Sequence, residues 1–150
     1  RHFVAESDWR AAIHSFAYIT RDAVIAAGAW ASYVEFESEE DLEAVRPAEA
    51  GTVALVEAGL SEANAGRVIT MLAELAFASA RARSDAALRG TAPQEAILER
   101  ALEQAPAGQF ALTRRLLGSK SPSTNEDEHF SFQLEIVTLG VESLLRGSRG

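Results

Sequence analysis

Apolar residues recur along almost the whole chain at steps of three and four, the spacing of an amphipathic helix, and strand-like alternation is nearly absent. The first segment opens at Ser7-Asp8, a capping residue followed by a first-turn acid. From there Trp9, Ala12, Ile13, Phe16, Thr20, Ala23, Ala27 and Trp30 share one face. The pattern weakens at Gly28 and gives way to Ser32-Tyr33-Val34-Glu35-Phe36, which predicts a long helix broken near that glycine. Ser38-Glu39-Glu40-Asp41 predicts a second start, with acids facing the positive end of the dipole. Pro47 is expected to interrupt that helix, and Val53, Leu55 and Val56 carry a further stretch to a stop at Ala58-Gly59.

Ser61 caps the next helix, which reads Ala65, Val68, Ile69, Met71, Leu72, Leu75, Ala76 and Phe77 and fades after Arg83. Pro93 sits where a first-turn proline belongs and opens a helix to Gln104. A short helix around Phe110, Leu112, Leu116 and Leu117 ends at Gly118, and residues 119–124 read as a loop. Asn125-Glu126-Asp127-Glu128 then starts a last helix of about 126 to 146. The prediction is an all-α domain, a bundle of six to eight helices.

Two of these helices carry more apolar surface than one face needs. On the last, Phe130, Leu134, Val137, Val141 and Leu144 form one stripe, while Phe132, Ile136 and Leu139 form another, offset around the cylinder. A surface helix needs a single stripe, so this one is either central to the fold or packed against its own core and a partner as well. The Ala-rich helix at 62–83 is similar, with Val68 and Leu72 on its main face. Paired with symmetry mates, the two helices would form a four-helix dimer interface through Val68, Leu72, Phe130, Leu134, Val137, Val141 and Leu144.

Composition narrows the function. The 150 residues are the size of one domain with one core, 47% apolar and 24% charged, which excludes disorder and low-complexity classes. About a fifth of the chain is alanine, which favours helix throughout. There is no cysteine, hence no disulfide framework, thiolate metal site or cysteine nucleophile. No apolar run is long enough to span a bilayer and no secretory signal opens the chain, so a cytoplasmic protein without membrane contact is expected. The net charge of −8 argues against this chain gripping nucleic acid by itself. It begins Arg1-His2-Phe3 rather than with Met, which implies a trimmed start or a longer parent protein.

Motifs for chemistry are missing. His2, His14 and His129 are far apart and none has a metal-ligand spacing, so no metal and no cofactor is expected. There is no phosphate loop, nucleophile elbow or nucleophile–base pair, which weighs against an enzyme. Residues 54–67 turn on a glycine as a helix-turn-helix does, but the second helix offers the groove one arginine and runs on into a long apolar segment. Glu74 stands in an otherwise apolar run, Met71 to Phe77. It is either part of a solvated stripe with Arg67 and Arg81, spaced at sevens, or a buried carboxylate orienting a ligand in an apolar cavity.

The order of features resembles one family. Asp8-Trp9-Arg10, the long helix ending near Trp30, Glu57-Ala58-Gly59-Leu60-Ser61 before an Ala-rich helix, and Phe130-Ser131-Phe132-Gln133-Leu134 leading to Gly140-Val141-Glu142-Ser143-Leu144-Leu145 are similar to the C-terminal domain of tetracycline-repressor (TetR) family regulators. Where many relatives carry a His-Pro-Trp-like turn, this chain has Gly28-Ala29-Trp30. The resemblance implies an all-α domain that homodimerises and binds a small-molecule effector. DNA would be contacted only through an N-terminal head absent from this chain. By position it implies ligand contacts at Phe16, Thr20, Ile69 and Glu74, with Trp30 and Tyr33 nearby, and an interface on the helix at 62–83 and the last helix. The expected effector is small and largely apolar or aromatic. Two other classes remain open: a constitutive helical interaction module, and a small helical enzyme using Glu74 or His14.

Overall fold

Asp8 starts the first helix: its side chain accepts a hydrogen bond from the Ala11 N–H at 3.2 Å, satisfying one of the donors that a helix N-terminus leaves open. The helix, α1 (Trp9–Ala27), ends at Gly28, whose φ of 58° is left-handed and strain-free only without a Cβ. Asp8→Ala is expected to lower stability by about 1 kcal/mol, read as a drop in the thermal midpoint.

The computed structural model describes residues 8–28, 39–89, 93–119 and 125–148. These form α1, α2 (Glu39–Ala58), α3 (Glu62–Arg89), α4 (Pro93–Gln104), α5 (Ala111–Gly118) and α6 (Asn125–Gly147), with no strand among the described residues. The all-α prediction holds, with six helices.

Two helices differ from their predicted extent. α2 runs through Pro47 instead of being interrupted there. Proline removes one backbone donor, but the following turns are anchored: Ala48 packs against the core, Ala54 and Leu55 are buried, and Thr52 Oγ1 donates to the Ala48 carbonyl at 2.8 Å. α3 continues past Arg83 to Arg89, through Ala82, Ala86 and Ala87, which are strong helix formers. Between α2 and α3 the chain closes a Schellman turn. The Leu60 N–H bonds the Leu55 carbonyl at 3.1 Å, the Gly59 N–H bonds the Val56 carbonyl at 3.0 Å, and Gly59 takes a φ of 119°.

α3 is the central element, with α1, α2 and α6 all packed against it. Ile13 and Phe16 from α1, Leu55 from α2, Leu72 and Ala76 from α3, and Phe130, Leu134 and Val141 from α6 meet in one core. α4 and α5 pack against each other, tied by Arg114, whose Nη2 donates to the Leu102 carbonyl at 2.7 Å and whose Nε donates to the Gln109 carbonyl at 3.0 Å.

The two stripes of α6 separate cleanly. Phe130, Leu134, Val137 and Val141 are buried inside the chain, as are Val68 and Leu72 of α3. These six residues, expected at a dimer interface, therefore belong to the interior of one chain. Leu144 is the exception, about half exposed. The face turned outward is the other stripe, Phe132, Ile136 and Leu139, at 57%, 53% and 51% exposure. At 100° per residue those three centre on the side of α6 opposite Phe130, Leu134 and Val141. Both stripes are apolar, so periodicity gave no preference for which one turns inward.

Candidate functional site

Three helices converge at Gly51 of α2. This glycine is buried, and a Cβ built on it would lie 2.8 Å from Ile69 Cδ1 of α3 and 4.0 Å from Phe16 Cβ of α1. The missing side chain is what admits Ile69 and draws α1, α2 and α3 together there. Phe16 is buried and Ile69 half-buried, so two of the residues expected at a ligand site both lie close to Gly51. Thr20 follows Phe16 by one turn on the same face of α1 and is half-buried. Beyond Ala17 that face loses cover: Thr20, Val24 and Ala27 are all half-buried, whereas Trp9, Ile13, Phe16 and Ala17 are buried. The core thus closes over the first half of α1 and loosens over its second half.

Glu74 is not in this place. It is exposed on α3, as are Arg67 and Arg81, and all three lie on the side of the helix away from Leu72 and Ala76. Steps of seven are nearly two full turns, so the three form the solvated stripe, and Glu74 is not a buried carboxylate. Trp30 and Tyr33 lie outside the described residues. Among the described residues, no three His, Asp or Glu side chains gather in a way that would hold a metal ion.

A second feature left only a faint trace in the sequence. α1 and α6 run antiparallel and are joined by a ladder of side-chain contacts. Arg10 pairs with Glu142, with Nε donating to Oε1 at 2.9 Å. Next, His14 Nε2 lies 3.1 Å from Thr138 Oγ1, whose own hydrogen goes to the Leu134 carbonyl at 2.7 Å, so the histidine nitrogen is the donor. The Tyr18 and Phe130 rings then meet edge to face at 5.2 Å. The last rung is Arg21 Nη2, donating to Asp127 Oδ1 at 2.6 Å.

Arg21 is buried, with its guanidinium carbon 4.8 Å from the Phe130 ring centre and 5.6 Å from that of Tyr18. Its Nε and Nη1 are buried and, among the described residues, have no hydrogen-bond partner. Asp127 is mostly exposed and also faces Arg83 at 3.8 Å. The buried Ser79 hydroxyl of α3 lies 3.5 Å from Glu126 Oε2 in the same first turn of α6. The signal in the sequence was faint: Arg21 stands four residues after Ala17 and eight after Ile13, on the flank of the buried face.

The chain matches the family described as tetracyclin repressor-like, C-terminal domain, over residues 5–145. It belongs to that family. No curated protein and no solved structure matches it. Tetracyclin repressor-like C-terminal domains typically bind effectors and dimerise, and they are parts of regulatory proteins rather than enzymes. The match covers all six helices apart from the last residues of α6, so the convergence at Gly51 and the outward stripe of α6 are both inside the family region. Among the described residues, no helix of this tetracyclin repressor-like domain is long and apolar enough to cross a membrane.

Proposed function

We propose that this domain is the effector-sensing and homodimerising part of a TetR-family transcriptional regulator, acting in the cytoplasm and controlling a DNA-binding head that is not part of this chain. The effector is a small molecule with a substantial apolar or aromatic body. It sits at the loosened half of α1, against Thr20 and beside the point where Phe16 and Ile69 both lie close to Gly51. The observation that carries this reading is the close three-helix approach at Gly51 beside an α1 face that goes from buried at Phe16 and Ala17 to half-buried at Thr20, Val24 and Ala27. Dimerisation is supported by the outward stripe of Phe132, Ile136 and Leu139, each more than half exposed.

A ligand moves such a dimer only if it binds one arrangement better than the other. A tenfold change in DNA affinity requires about 1.4 kcal/mol of coupling. α1 is placed to transmit it, since its residues touch α2, α3 and α6.

Native mass spectrometry of the purified chain tests the proposal. The expected spectrum shows a dimer carrying a small molecule from the expression host. Thr20→Phe, which fills the half-buried position, is expected to keep the dimer and lose the adduct. A monomer at micromolar concentration, or an adduct unaffected by Thr20→Phe, overturns the reading.

A further inference from the structure

We propose that Arg21 is the anchor for the carboxylate of an acidic effector, and that the ligand's carboxylate takes the place of Asp127 on it. The inference rests on the effector-binding reading above and specifies the chemistry of the ligand. A guanidinium carries five N–H donors in a rigid fork. Among the described residues only Nη2 of Arg21 is engaged, while Nε and Nη1 are closed off from solvent without a partner. Such donors are costly to leave unmade inside a protein, and here they belong to a full positive charge.

The pairing is also lopsided. Arg21 has a side chain only 6% exposed, while its partner Asp127 is 70% exposed and shares the same oxygen with Arg83. One solvated carboxylate oxygen therefore serves two cations. The flat faces of Phe130 and Tyr18 hold the guanidinium and give it no acceptor. The spot is also at the N-terminus of α6, where free backbone N–H groups favour an anion. Glu126 faces the same region through Ser79, so an added anion would meet two carboxylates. Exchange for Asp127 avoids that repulsion, and a planar carboxylate can engage the fork through two nitrogens at once. Thr20, the neighbouring residue on the inner face of α1, puts the apolar body of the ligand beside Phe16. The ligand class is thus a monocarboxylate with an apolar chain or ring.

Exchange also has a consequence for the fold. Loss of the Arg21–Asp127 rung frees the first turn of α6 while Arg10–Glu142 and His14–Thr138 hold its other end. Binding at Arg21 would thereby tilt α6, the helix whose outer stripe is offered to a second copy.

Octanoate and octan-1-ol differ in charge and share the apolar chain. Calorimetric titration of the full chain is expected to show octanoate binding at least about tenfold more tightly than the alcohol. Arg21→Met is expected to abolish that preference while leaving alcohol binding intact. Asp127→Asn, at an exposed position that endangers folding far less, removes the competing charge and is expected to tighten octanoate binding several-fold without changing the alcohol. Equal affinity for the two probes, or an unchanged octanoate affinity in Asp127→Asn, overturns the anchor. Alcohol binding without carboxylate preference sinks the anchor and leaves the effector pocket standing. If neither probe binds, both fall.

Discussion

Phe130→Ala is expected to reduce the unfolding free energy by about 3–5 kcal/mol, a large share of the stability of a domain this size. Phe130 is fully buried at the centre of the α1–α6 contact, edge to face with Tyr18 and beneath the Arg21 guanidinium. Truncation leaves a cavity and also takes away the ring against which a buried charge rests, so two of the mechanisms behind large mutational effects act together. Phe110 provides the comparison, being 58% exposed at the start of α5. There the same substitution is expected to cost no more than about 0.5 kcal/mol. Urea unfolding followed by far-UV circular dichroism, at one fixed protein concentration, measures both. Similar losses at the two sites would mean that Phe130 is not the core residue described.

Ile136→Asp is expected to convert the proposed dimer into a folded monomer. The side chain projects from the outer stripe of α6, and in a two-fold interface each substitution is counted in both chains. An unpaired carboxylate in a desolvated contact costs about 3 kcal/mol or more, which weakens association by at least about two orders of magnitude. Leu134→Asp places the same charge on the inner stripe, 1% exposed, and is expected to unfold the chain. Light scattering after size exclusion, with circular dichroism on the same samples, separates the outcomes. A folded dimer persisting in Ile136→Asp at nanomolar concentration would place the interface elsewhere, with Ile97, Leu112 and Leu116 of α4 and α5 as the next exposed apolar surface.

Much of the helix inventory was legible because its signals are local. Pro93 in a first turn, Asn125-Glu126-Asp127-Glu128 before an apolar run and Gly59 after Ala58 each act within a few residues, and each marks an observed end. Pro47 misled because its local cost was outweighed by burial further along α2. The Glu74 stripe was readable as one of two alternatives, since its seven-residue spacing does not depend on what α3 packs against. Arg21 left only its place on the flank of the buried face as a signal. A lone arginine on an amphipathic flank normally points to solvent, and its burial depends on Phe130 and on Asp127, which is 106 residues away in sequence.

By itself, then, the sequence determined an all-helical domain, its approximate boundaries, its lack of a metal or nucleophile motif and its likeness to a regulator family. Those properties follow from propensity, capping and periodicity, which act over one or two turns. Only the tertiary structure decided which stripe of α6 turns inward, that Phe16 and Ile69 both come close to Gly51, and that an arginine with two idle nitrogens lies beneath the first turn of α6. Each of these is a contact between elements distant in the chain. Both stripes of α6 satisfy the same local pattern, and the choice between them is made by how α1 and α6 both fit against α3.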